Sequence, residues 1–391
     1  MKILFNIPNL NKTDGGIYQY SLALLQILGK AKLPINIYVY CENPEEDIKI
    51  LVRKNENINL TLIEKPKYSR FKIVLFNIFN RVFRVLKIDR RLKKKDIYDI
   101  LIEKYHIDII HTPFQSIVKK PNVKSITTLH DVQELYFPQF FSSQQRAYRA
   151  VKYKKAIDLA DIVIVSYEHV KNDIIKFFDK SQNEIRTILL DMEDLWFNKL
   201  KETDIGALNR FNLPTSYLLY PAATWEHKNH LKLLEAIKKL DNSNICLVCT
   251  GAKKDYFKDV LKPYIVDNEL EKQVSFLGII SDEELFQLYQ NCRAVVVPTI
   301  YEAGSFPLME SILMEIPVIC SNATSLPETI GDSNFVFNPF VVEEISEKIE
   351  KIYFDDSYRE ANTKLLKVQS EKLRYNNAAF KFYETYKDLI K

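Results

Sequence analysis

The chain has 391 residues, 47% of them hydrophobic and 27% charged, with 8 glycines and a formal net charge of +4. That length exceeds one ordinary core and implies two domains; the composition excludes collagenous and disordered classes, and so small an average charge gives no reason to expect nucleic acid as a partner. No apolar run approaches the roughly 18 residues of a bilayer span, and MKILFNIPN is broken too soon by Asn6 and Pro8 to be a signal peptide, so a cytoplasmic location is expected.

In chain order, strands and helices alternate twice over. MKILFNI reads as a first strand, Asn9 to Gly16 as a polar loop closing on Gly15 and Gly16, and Ile17 to Leu28 as a helix. A glycine pair between a first strand and a first helix lets backbone approach a ligand such as a phosphate, although an ordinary tight turn has the same composition. INIYVYC, INLTLIE, IDIIHT, SITTLHD, IVIVSYE and RTILLD continue the strands, with a helix over Ile97 to Tyr105. Such alternation implies a doubly wound parallel sheet whose functional loops lie at the carboxyl ends of its strands, where His111 and His130 fall.

Between the second and fourth of these elements, Lys65 to Lys95 carries twelve Lys or Arg against one acidic residue, Asp89. Net +11 here leaves the remainder of the chain at −7. At helical spacing Phe71, Leu75, Ile78, Phe79, Val82 and Leu86 share one face, while Arg70, Arg81, Arg84, Lys87 and Arg91 share the other. A basic amphipathic helix suits an anionic membrane surface, and the plain alternative is a domain helix with a solvated basic side. No aromatic stacking platform or binding motif accompanies it that would indicate nucleic acid.

The polar, weakly periodic stretch Met192 to Thr215 is the expected linker. Beyond it YLLYPA, ICLVCT, QVSFLG, AVVVP, PVIC and FVFN form a second set of strands. Cys246 and Cys249 resemble a CxxC pair, but three residues apart in a strand they face opposite ways, so buried apolar thiols are expected rather than a metal or redox site. Two halves facing each other across a cleft place ligands between them. The boundaries implied are 1–195 for the first domain, with a C-terminal helix over 376–391 packing back onto it, and 205–375 for the second.

The richest stretch is VVVPTIYEAGSFPLMESILMEIPVICSNATSLPETIG, Val295 to Gly331. Pro298 ends a buried strand, Ser305 sits where a helix N-cap belongs, and Pro307 falls in the first turn of a helix reaching about Met314. A strand, a loop and a helix start make an anion site, because first-turn amides have no internal partners.

Four segments together resemble the retaining glycosyltransferase family 4, which has the GT-B fold of two Rossmann-like domains: DGGIYQY, the LHD after the fifth strand, YPAATWEHKNHLKLLEAI, and above all YEAGSFPLME. In the last, Glu302 and Glu310 have seven residues between them, as in the two-glutamate motif of that family, and the resemblance runs in order from about Lys2 to Gly331. It implies transfer of a sugar from a UDP-, GDP- or dTDP-linked donor to a lipid-linked or cell-surface glycan, as in O-antigen, capsule or lipopolysaccharide assembly. It further implies a front-face retaining mechanism, no required cofactor or metal, and work at the inner face of the plasma membrane.

The resemblance assigns residues as well. Gly16, Lys228 and the amides of Gly304, Ser305, Phe306 and Leu308 would hold the donor phosphates, where leaving-group charge grows and preorganised donors help most, with Gly15 and Ala303 among the other donor-binding residues. Glu310 would accept from the ribose hydroxyls, Glu302 from those of the transferred sugar, and His130 would touch that sugar from the opposite domain. Gly278 and Ile279 belong to the donor loops, and His111 and Asp131 are acceptor-side candidates. Each has a plainer alternative: a solvated lysine for Lys228, a helix-end carboxylate for either glutamate, a strand-capping imidazole for His130. Asp131 is also a possible base for an inverting mechanism. One departure stands out: His227 occupies the position before Lys228 where many members carry arginine, and a neutral imidazole donates to phosphate only weakly. An epimerase or phosphorylase on the same architecture, or a non-catalytic sugar-nucleotide-binding protein, remains open on sequence grounds.

Overall fold

The computed structural model describes residues 1–55, 60–63, 96–192, 208, 210, 211 and 213–391. The basic segment 65–95 and most of the linker therefore lie outside the described residues. Among the described residues, thirteen strands fall where the apolar runs place them. The first seven are β1 (Lys2–Asn6), β2 (Asn36–Tyr40), β3 (Leu60–Ile63), β4 (Ile109–Thr112), β5 (Lys124–Thr128), β6 (Ile162–Val165) and β7 (Ile185–Thr187). The second set is β8 (Leu218–Pro221), β9 (Leu247–Thr250), β10 (Val274–Phe276), β11 (Ala294–Val297), β12 (Val318–Ser321) and β13 (Val336–Phe337).

They form two parallel sheets, ordered β3-β2-β1-β4-β5-β6-β7 and β10-β9-β8-β11-β12-β13. In each, chain order reverses beside the central strand, at β1/β4 and at β8/β11, and a crevice opens at such a switch point. The molecule is thus two Rossmann-like α/β domains, the GT-B architecture.

Eight helices position the site: α1 (Gly16–Lys30), α2 (Ser143–Leu159), α3 (Glu168–Phe178), α4 (His230–Leu240), α5 (Phe306–Leu313), α6 (Leu326–Ile330), α7 (Asp356–Arg374) and α8 (Ala378–Ile390). Local chemistry starts several of them: Ser142 and Gln145 form a reciprocal capping box for α2, and Asp355 caps α7.

Strand alternation divides the first core between two faces. Ile3, Phe5, Val39 and Ile109 face one helical layer, whereas Leu4, Tyr40 and Ile110 face the other. The last helix, α8, joins the former layer through Ala378, Phe382 and Tyr386, and the Ala378 N–H donates to Asp191 at 2.9 Å. Burying a side chain such as Phe382 contributes about 1.5–3 kcal/mol toward docking α8 on the first domain. The second domain has one continuous core around β8, β9, β11 and β12. All five cysteines are free, and burial pushes the thiol of Cys246 upward. Among the described residues no helix is long and apolar enough to cross a membrane.

Candidate active site in the interdomain cleft

The two switch points face one another across a cavity of about 1030 Å³, lined from the first domain by Gly16, Tyr20, His130, Asp131 and Tyr167 and from the second by His227, Lys228, Tyr301 to Gly304, Phe306 and Met309. This volume is at the upper end of the ~300–1,000 Å³ that small-molecule sites occupy.

The second-domain wall is built on the strand-to-helix loops after β8 and β11. Residues 226–228 make one tight helical turn ahead of α4, and Asn229 follows at φ 61°, its amide donating to the carbonyls of Pro298 and Pro339 at 2.9 and 2.8 Å. That turn aims Lys228 at the β11 loop, where its Nζ lies 2.6 Å from Glu302 Oε1. Both side chains are only about one-sixth exposed, at 16% and 15%. The sequence reading gave these two residues separate duties; the structure makes them partners.

The Glu302 backbone is fixed as well, its carbonyl accepting from Ser325 Oγ at 3.2 Å and from Thr324 Oγ1, just ahead of α6. Glu302 Oε2 and Ser305 Oγ are buried with no hydrogen-bond partner among the described residues. A buried unpaired acceptor or hydroxyl costs roughly 1–3 kcal/mol, which makes these two atoms candidates for contact with a ligand or water.

Ser305 is the N-cap of α5 yet makes no side-chain cap, and the first backbone bond of that helix runs from Met309 N–H to the Ser305 carbonyl at 2.9 Å. Among the described residues the N–H groups of Phe306 and Leu308, ahead of Met309, therefore have no helical partner, with the helix dipole adding positive potential. Gly304 has a separate requirement: a Cβ there would stand 2.9 Å from the hydroxyl of Tyr167 in the other domain.

His130 donates from Nε2 to the Pro113 carbonyl at 3.1 Å, because a carbonyl only accepts, and this leaves Nδ1 as an acceptor. Burial holds its pKa below the ordinary histidine value, and Tyr20 meets the ring edge-on with centroids 4.6 Å apart. Asp131 lines the cavity with one oxygen 3.5 Å from Arg149, which also grips Glu134 at 2.9 Å. His227 lies in the wall too. Burial and the adjacent Lys228 lower its pKa to about 4, so it is neutral near pH 7 and brings no charge of its own.

Several candidates take other places. His111 is wholly buried, bonded through Nδ1 to the Tyr386 hydroxyl at 2.8 Å and stacked on Phe382, and burial lowers its pKa to about 3. It ties α8 to the first sheet and does not reach the cavity. The Leu308 side chain belongs to the second core, and only its backbone faces the helix start. Glu310 is 8% exposed and accepts from Tyr289 at 2.7 Å. Gly15, at φ 57°, ends the turn before α1, while Gly16 lines the cavity with open space beside its Cα. Gly278 and Ile279 stand apart from the cavity lining: the Gly278 carbonyl accepts from Gly251 N–H at 2.8 Å, and Ile279 is exposed.

Two tyrosines that the sequence reading missed join the domains. Tyr301 accepts from the Val132 N–H at 3.2 Å and packs between Tyr136, Phe137 and His169. Tyr167 places its hydroxyl 3.4 Å from Met309 Sδ. The only available signal for Tyr301 was its position immediately before Glu302.

Known proteins resemble this chain in sequence and in fold. The family model described as "Glycosyl transferases group 1" matches residues 204–367, the second domain and its half of the cleft. The O-antigen chain mannosyltransferase B of Escherichia coli is 27% identical over 68% of this chain and 70% of its own. The O-antigen chain mannosyltransferase RfbU of Salmonella typhimurium is 28% identical over 86% of this chain and 87% of its own. Among solved structures, Anabaena HepE in complex with UDP-glucose superposes with a TM-score of 0.64 at 17% identity, covering 99% of this chain and 100% of that one, which shows a shared fold.

Proposed function

We propose that this chain, a glycosyltransferase by its fold and by the match over its second domain, moves a hexosyl group from a nucleoside diphosphate sugar to a surface-glycan acceptor, retaining the anomeric configuration and needing no metal. The names of the two bacterial relatives favour mannose as the sugar and O-antigen-type glycans as the product.

The observation that carries this reading is the pairing of Lys228 with Glu302 at the open start of α5, with Glu302 Oε2 and Ser305 Oγ buried and unpaired beside it. As the bond from the anomeric carbon to the diphosphate breaks, negative charge grows on the leaving phosphate. Lys228 and the free amides of α5 are fixed in advance to receive it, the kind of preorganisation that is worth most to catalysis. The positive charge that a metal would bring is supplied by Lys228.

Glu302 would accept from hydroxyls of the transferred sugar and put negative charge beside the developing oxocarbenium ion. With Glu302 Oε1 tied to Lys228 and Asp131 3.5 Å from Arg149, each carboxylate already has a cation beside it, and this supports a front-face retaining path over inversion. His130, as a neutral acceptor, suits a donor-sugar hydroxyl, and Glu310 the ribose. The basic segment 65–95 fits a peripheral attachment to the inner face of an anionic membrane.

Thermal-shift titration with UDP, GDP, dTDP, ADP and CMP tests the donor reading, since a nucleotide that binds the native state stabilises it by mass action. One diphosphate should raise Tm in a concentration-dependent way, and its hexose conjugate should be hydrolysed or transferred by purified protein. Binding without any turnover would instead favour a non-catalytic binding protein.

A further inference from the structure

A second cavity of about 470 Å³ opens beside the cleft and shares Asp14 and Ile17 with it. It lies wholly in the first domain, so any occupant approaches from the side opposite the nucleotide. Tyr148 on α2 stands at this cavity with 62% of its surface exposed, next to Phe114 and Tyr153, and Asn9, Gln115 and Gln145 bring planar amides.

The charges in this cavity nearly cancel. The Arg149 guanidinium, the obvious anion ligand, is already engaged by Glu134 at 2.9 Å and Asp131 at 3.5 Å. Lys152 sits over the Tyr148 ring at 5.4 Å, and against its charge stands the Asp14 carboxylate, which accepts from the Asn11 N–H at 2.9 Å. A phosphate-bearing ligand would find one cation and one anion here. An uncharged, hydroxyl-rich ring finds the exposed Tyr148 ring, approached on one face by Lys152, for its C–H surface and amides that both donate and accept. A rigid tyrosine supplies that face at low cost in side-chain entropy.

We propose that this side cavity is an acceptor subsite for an uncharged internal sugar ring, with Tyr148 as its stacking platform, so that the enzyme recognises at least the last two sugars of a neutral glycan. The inference rests on the glycosyltransferase reading above and adds the class of acceptor. With the terminal sugar in the main cleft, the next ring falls at the opening marked by Asp14 and Ile17. The volume holds roughly one or two pyranose rings.

Saturation-transfer NMR and titration test it with methyl hexosides, a panel of uncharged di- and trisaccharides including mannobiose and mannotriose, and mannose 6-phosphate as the anionic probe. At least one oligosaccharide should bind about tenfold more tightly than its methyl monosaccharide. Tyr148→Ala should abolish that advantage, Tyr148→Phe should keep it, and nucleotide binding should be the same in all three proteins. The subsite is overturned if no neutral oligosaccharide binds better than the monosaccharide, if Tyr148→Ala leaves the advantage intact, or if the sugar phosphate binds best. Loss of the subsite alone leaves nucleotide binding and donor hydrolysis in place, whereas failure of the glycosyltransferase reading removes those as well.

Discussion

Lys228 and Glu302 are 74 residues apart, and each resolves the other's problem in the cleft. An ammonium and a carboxylate this buried are costly alone, and removing one partner of such a pair leaves an uncompensated charge. This asymmetry separates the two variants. Lys228→Ala removes the cation that meets the leaving phosphate and should lower kcat/KM at least ~100-fold, on the scale of losing one oxyanion donor. Glu302→Gln leaves Lys228 free for phosphate, so calorimetry should show nucleotide affinity kept or raised while turnover falls; lost affinity would contradict the division of roles. His227, neutral with a pKa of about 4, should matter far less, and His227→Gln should cost under ~10-fold in kcat/KM. The resemblance to a known family made Glu302, Lys228 and His130 legible as candidates. Their pairings were not legible, because nothing in a linear sequence says that Lys228 turns toward Glu302 rather than toward water.

The strands were readable because short continuous β-branched runs bounded by Pro, Asn and Gly have few other outcomes. What they did not reveal is which strand-end polar groups face the crevice. His111 illustrates the limit: β4 is buried on both faces, so its imidazole enters the core and meets α8, more than 270 residues away. This element-scale contact has a pH signature. The folded pKa of His111, about 3, lies below the ordinary value of about 6.5, so the unfolded chain binds the extra proton between these limits. The stability it lends is present above about pH 6.5 and is lost as pH falls toward 3, by at most ~1.4 kcal/mol per pH unit. Calorimetry of wild type and His111→Gln between pH 7.5 and 4.5 should show the variant losing Tm less steeply; parallel curves would contradict the assignment.

At the scale of the whole molecule, the cleft is completed only when both domains meet. Tyr301 on the Val132 amide and Tyr167 between Gly304 and Met309 hold the β11 loop against the first domain, directly beside Glu302. Closure that assembles a site in this way couples domain position to turnover. Gly304→Ala forces Tyr167 aside, and small-angle scattering with saturating nucleotide should show a larger mean radius than wild type, together with reduced kcat; unchanged scattering and activity would remove closure from the account. This coupling was hidden in the sequence, where nothing set Tyr301 and Tyr167 apart from the other aromatics.

The central claim is that Lys228 and Glu302 drive transfer of a hexose with retention. Proton NMR of the product formed from an α-configured nucleoside diphosphate hexose, run with wild type and Lys228→Ala, tests it most directly. An α-anomeric product that appears with wild type and is suppressed at least ~100-fold by the substitution is the expected result. A β-anomeric product, or equal rates from the two proteins, would contradict it.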